Sequence, residues 1–113
     1  EELRCDFRTL KPIEKMEFNH CYTGLLRGRD GVARVMLSNR DSSRITEVWM
    51  DEVFNYLVIY TGDTIAAPHA RRALAIEPMT CGTNAFNQSE WGLKILRPGE
   101  TFSGQWGIGH RHP

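Results

Sequence analysis

The stretch "YLVIYT", residues 56–61, decides the fold class of this chain of 113 residues. Its β-branched and aromatic side chains favour a strand, and the "GDT" that follows supplies residues that end one. Because apolar side chains stand at consecutive positions rather than alternate ones, both faces of this strand are expected to be covered. The stretch is therefore predicted to be a central strand.

The sequence before this strand predicts a β-hairpin. "GVARVMLS" (31–38) and "SRITEVWM" (43–50) both alternate between two faces, and "NRDSS" supplies turn residues between them. Apolar residues in "TEVWMDEVFNY" (46–56) are also helically spaced. Its β-branched content favours a strand followed by a short turn.

The sequence after the central strand predicts further short strands. These are "LAIEPM" (74–79), "WGLKIL" (91–96) and "TFSGQWGI" (101–108), separated by the loop "CGTNAFNQSE" and the turn "RPGE". The terminal "GHRHP" is expected to fray. Short strands about 10 residues apart are typical of sandwiches and barrels. We therefore predict one all-β domain over residues 1–113, either a sandwich or a barrel.

Charge and hydropathy favour a small, neutral or polar partner. Fourteen basic and 14 acidic side chains cancel, so no basic surface favours nucleic acid or an anionic membrane. No apolar run approaches the roughly 20 residues of a membrane-spanning helix, and "EELRCDFRTL" lacks the apolar core of a signal peptide. The prediction is a soluble, cytoplasmic protein.

The three cysteines are predicted to be free thiols. Cys5, Cys21 and Cys81 form no CxxC pair and have no histidine at zinc-finger spacing, so no metal site is expected. A nucleophilic site formed by Cys81 and His69 is a further alternative, and only the two residue types support it.

Glu77 is the candidate catalytic residue. Period-two alternation places it with Ala75 and Met79 on the strand face opposite Ile76. Pro78 biases Glu77 toward extended backbone and so helps to aim its side chain. A carboxylate fixed in a partly apolar recess suits a general base. The alternative is a rim glutamate paired with Arg71 or Arg72.

Several motifs together resemble a known family. "DFRTLKPI" (6–13), "NHCYTGL" (19–25), "VWMDEVFNYLVIYTGDT" (48–64), "RRALAIEPMTCGTNAFN" (71–87) and "GLKILRPGETFSGQWGI" (92–108) resemble, in order and spacing, the C-terminal part of the aldose 1-epimerase (galactose mutarotase-like) family. The resemblance covers nearly the whole chain. It implies an antiparallel β-sandwich, about half of a β-supersandwich whose concave face binds a free hexose.

The resemblance also implies an activity that needs no cofactor. In this family a glutamate takes the proton from the C1 hydroxyl while a histidine protonates the ring oxygen. The ring opens, and its closure gives either anomer. Glu77 falls at the position of that glutamate base.

Two further positions are implied as substrate-binding. The family motif matched by "NHCY" ordinarily begins with aspartate and histidine, and here these positions are Asn19 and His20. An amide accepts and donates hydrogen bonds to a hydroxyl but lacks the charge that strengthens them. His20 is not the family's acid.

The family's acid histidine belongs to an N-terminal portion that this sequence does not include. The resemblance thus implies a complementing N-terminal half, or a homo-oligomer that covers open sheet edges. The alternative function is a non-catalytic, truncated module that binds sugar or oligomerises.

Overall fold

The computed structural model describes residues 2–111, without the side chains of Glu2 and Leu3. A short 3₁₀ helix, Glu2–Cys5, precedes the strands. The strands of the described part are β1 (Asn19–Thr23), β2 (Ala33–Ser38), β3 (Ile45–Met50), β4 (Tyr56–Tyr60), β5 (Ala75–Met79) and β6 (Trp106–Arg111).

The strands form two antiparallel three-stranded sheets, in the orders β1-β4-β5 and β2-β3-β6. Strands β2 and β3 pair as the predicted hairpin. Strand β4 is the middle strand of its sheet, and its consecutive Leu57, Val58 and Ile59 are all buried. The prediction of a central strand covered on both faces is confirmed.

The hydrophobic core draws on both sheets. Its buried members are Phe18, Ala33, Val48, Met50, Leu57 and Ile59. Met50, at 0% exposure, is the most deeply buried large side chain among them. Because β2 and β3 contribute from one side and β4 from the other, the fold is all-β and sandwich-like, as predicted.

One predicted strand is wrong. "WGLKIL" (91–96) forms a turn and irregular chain instead of a strand. Gly92 has a φ of +84°, and a Cβ there would come within 2.9 Å of the Thr80 carbonyl oxygen. This close backbone approach, which only glycine allows, sends the chain back over the end of β5.

The last strand and the first strand also differ from the predictions. The last strand begins at Trp106 and continues to Arg111, where His110 pairs with Thr46 of β3. The expected fraying is therefore wrong for His110, while His112 lies outside the described residues. Strand β1 was not predicted, because four of its five side chains are exposed and the sequence shows no apolar alternation there.

Arg27 links the loops at one end of the sandwich. Its half-buried guanidinium donates hydrogen bonds to the carbonyl oxygens of Gly31 (3.1 Å), Asp51 (3.0 Å) and Phe54 (2.6 Å). Hydrogen bonds from a charged donor are stronger than those between neutral groups. One side chain thus fixes the approach to β2 relative to the turn between β3 and β4.

Replacing Arg27 with methionine should lower the free energy of unfolding by about 2–3 kcal/mol, because the aliphatic stem is kept while three carbonyls lose their donor. Urea denaturation followed by circular dichroism measures this. Arg29→Met, at an exposed position, should change the free energy by less than about 0.5 kcal/mol. Equal losses in the two variants would contradict the role given to Arg27.

Candidate functional site

Glu77 lies on the outward face of an edge strand. It is exposed in β5, and its register partner across the sheet is Val58 of β4. Ile76, on the opposite face, packs against the core. The predicted alternation of β5 is confirmed, and the Glu77 carboxylate points away from the core.

Two tyrosines flank Glu77 on this face. Opposite residues of an antiparallel pair share a face, so Tyr56, which pairs with Met79, and Tyr60, which pairs with Ala75, lie diagonally on either side of Glu77. Both rings are half-buried. The carboxylate therefore stands beside an aromatic floor. Sequence reasoning assigned these tyrosines only to strand packing.

Asn19 shares the face with Glu77. In the register of the sheet, Asn19 pairs with Tyr60, which in turn pairs with Ala75. Asn19 and Glu77 are separated by two strand spacings across the sheet and by two residues along the strand direction. Their Cα atoms are therefore about 12 Å apart. Both side chains are exposed. The structure therefore places an amide and a carboxylate on one face of the sheet.

His20 lies on the opposite face of the same sheet. Its ring contacts those of Phe18 and Tyr22, with centroids 5.9 Å and 6.5 Å away. Its Nε2 is 3.9 Å from the sulfur of Cys5. The structure therefore places the side chains of Asn19 and Glu77 on one face of the sheet and the side chain of His20 on the other.

The loop after β5 covers one end of the Glu77 face. It is closed by a hydrogen bond from the Gly82 amide to the Trp91 carbonyl (2.8 Å). A Cβ on Gly82 would lie 3.1 Å from the Trp91 side chain and 3.4 Å from the Tyr56 ring, so these aromatic groups are neighbours. Trp91 keeps 41% exposure. It therefore adds an accessible apolar surface at the end of the face.

Arg71 pairs with groups other than the Glu77 carboxylate. Its guanidinium forms an ion pair with Asp63 and donates to the carbonyl oxygens of Glu14 (3.1 Å) and Met16 (3.0 Å). The pKa of Asp63 lies below its ordinary value, mainly because of the hydrogen bond from Thr61 and also because of the hydrogen bond from Arg71. Arg71 thus anchors the segment before β1 to the loop after β4.

Acid should weaken this anchor. Because the folded pKa of Asp63 lies below the ordinary value of 3.8, its carboxylate stabilises the fold above that pH, and the contribution is lost as the pH falls below it. Asp63→Asn should therefore be less stable than the wild type at neutral pH, and the gap should shrink toward about pH 2. Urea midpoints at both pH values measure the gap. A gap that stays constant would contradict this linkage.

Comparison of the chain with family models, curated proteins and solved structures finds no match. The resemblance to aldose 1-epimerases rests on the sequence motifs alone. Within residues 2–111, no helix is long and apolar enough to cross a membrane. The same part of the chain contains no cluster of three or more potential metal-ligating side chains.

Proposed function

We propose that the outward face of the β1-β4-β5 sheet binds a hexose and that Glu77 acts there as a general base in the interconversion of its α and β anomers. Glu77 takes the proton from the C1 hydroxyl as the ring opens. Asn19 hydrogen-bonds a ring hydroxyl. Rotation about the C1–C2 bond and reclosure then give either anomer.

The observation that carries this proposal is the exposed carboxylate of Glu77 on the same sheet face as Asn19 and two tyrosines. Sugars present hydroxyls at their rim and C–H groups on their faces. Polar side chains beside aromatic rings suit both. The face carries Glu77 on a paired strand, which limits the movement of the base.

The proposed reaction needs an acid for the ring oxygen. Among the described residues, His20 lies on the other face of this sheet, His69 lies in the loop between β4 and β5, and His110 lies in the β2-β3-β6 sheet. We propose that the acid comes from an N-terminal half of the mutarotase type, and that the complete protein acts in the cytoplasm. Without that half, water is the acid and Glu77 supplies base catalysis alone.

The test is exchange between glucose anomers, and between galactose anomers, followed by magnetisation-transfer NMR. The 113-residue chain should raise the exchange rate above that in matched buffer, in proportion to protein concentration. A rate equal to buffer for both sugars would contradict catalysis by this chain.

The separation of His20 from Glu77 favours a second candidate, a sugar-binding module without catalysis. Such a module would bind hexose at millimolar concentration yet leave the anomer exchange rate at the buffer value. Binding with no acceleration would select this candidate.

The edge strand β6 supports an additional oligomerising role. Its Trp106 and Ile108 are 53% and 63% exposed on the sheet face that also carries the buried Val48. Large exposed apolar side chains beside an open strand edge are typical of surfaces that associate. Native mass spectrometry should then show a dimer or larger species, and a monomer at all concentrations would contradict this role.

A further inference from the structure

On the face of β1 away from Glu77, the imidazole of His20 contacts a thiol from the 3₁₀ helix. The Sγ atom of Cys5 lies 3.9 Å from Nε2 of His20, although 15 residues separate them in sequence. The 3₁₀ helix ends at Cys5 and so delivers the sulfur to the start of β1. Sequence reasoning missed this pair because nothing in the spacing of the two residues indicates contact.

The hydrogen bonding of His20 fixes its tautomer. The backbone amide of Asn19 donates to Nδ1 at 3.1 Å, so Nδ1 is an acceptor and the proton is on Nε2. The Nε2–H group therefore donates toward the Cys5 sulfur. A donor in this position stabilises negative charge on sulfur, and the thiolate is the nucleophilic form of cysteine.

A small cavity opens beside the pair. It has a volume of about 120 Å³ and is lined by Arg4, Cys5, Met16, Glu17, Phe18 and His20. Cys5 itself is half-buried and packs against the core. The cavity thus admits a molecule of a few heavy atoms to the sulfur.

The Tyr22 hydroxyl is a further polar group on this face of β1. It is buried and has no hydrogen-bond partner among the described residues. Burial raises the pKa of Tyr22, and negative charge on Cys5 and Asp6 raises it further. The hydroxyl therefore remains a neutral O–H group within electrostatic range of Cys5.

We propose that Cys5, with His20 as its positioning residue, is a modification site for small hydroperoxides. The thiolate attacks one oxygen of the peroxide, an S–O bond forms and the O–O bond breaks. Sulfur loses two electrons and becomes a sulfenic acid, while the other oxygen leaves with the bonding pair, as hydroxide from hydrogen peroxide or as an alkoxide that takes a proton from water. The Nε2–H group of His20, 3.9 Å from the sulfur, orients the sulfur for this attack.

The chain provides its own comparison, because Cys21 adjoins His20 in β1 and is more exposed than Cys5. If accessibility alone governed oxidation, Cys21 would react first. The proposal predicts the reverse order. The two rates can be read from one sample by treating the protein with hydrogen peroxide, trapping sulfenic acid with dimedone and quantifying each peptide by mass spectrometry.

Two substitutions separate the hydrogen bond from the packing of the ring. His20→Phe keeps an aromatic ring against Phe18 and Tyr22 but removes the N–H donor, whereas His20→Gln keeps an N–H donor. In the wild type Cys5 should react at least about threefold faster than Cys21, and His20→Phe should remove this advantage while His20→Gln retains part of it. The Cys21 rate serves as the reporter of an intact β1.

Two results would overturn the proposal. One is a Cys5 rate at or below that of Cys21 in the wild type. The other is an unchanged ratio of Cys5 to Cys21 in His20→Phe, with circular dichroism showing the fold retained. Anomer exchange is measured separately and does not enter either outcome.

Discussion

Replacing Glu77 with glutamine should abolish the acceleration of hexose anomer exchange and leave the fold intact. Glutamine has nearly the same shape but cannot accept the proton of the C1 hydroxyl at neutral pH. General bases contribute about 10²–10⁴-fold to rates, so the protein-dependent acceleration should fall by about 100-fold or more. Because Glu77 is exposed, the free energy of unfolding should change by less than about 0.5 kcal/mol.

Glu90→Gln is the matched control, since Glu90 is an exposed glutamate in the loop after β5. It removes the same charge at a position that the proposed reaction does not use. Exchange spectroscopy on wild type and both variants at equal concentration gives the comparison. Equal rates in the wild type and Glu77→Gln would contradict the role of Glu77 as base.

Replacing Met50 with alanine should produce the largest loss of stability. Met50 is completely buried at the end of β3, among core residues from both sheets. Truncation removes its buried methylene and thioether groups and leaves a cavity that the surrounding strands fill only partly. Such substitutions lower the free energy of unfolding by about 2–5 kcal/mol. Urea denaturation should show this loss as a lower midpoint.

Met36→Ala is the control for this effect. Met36 lies in β2, on the sheet face opposite the core, and is 49% exposed. The same truncation there should cost less than about 1 kcal/mol, because little apolar surface is buried. Comparable losses at the two positions would show that the core does not lie between the two sheets.

The sequence predicted the buried strands better than the exposed ones. The apolar run of β4 and the alternation of β2 and β3 are consequences of burial, so they could be read directly. Strand β1 has no such signal because its sheet partner β4, rather than its own side chains, holds it in place. The false strand at 91–96 shows the reverse case, where apolar residues lie in a loop shaped by Gly92.

The candidate site was predictable only in part. Strand alternation fixed the side of β5 on which Glu77 lies, because that requires only local geometry. The placement of Asn19 on the same face and of His20 on the other depends on the register between β1 and β4, which the sequence does not reveal. The contact of Cys5 with His20 depends likewise on how the first residues pack against the start of β1.

The most direct test is a titration of the ¹⁵N-labelled chain with glucose and with galactose, followed through backbone amide shifts. We predict saturable shifts at Asn19, Tyr60 and Glu77, with no change at Val48 and Ile108 in the other sheet. Glu77→Gln should weaken but not relocate them. No shifts at millimolar sugar, or shifts confined to the β2-β3-β6 sheet, would contradict the assignment of this face as a hexose site.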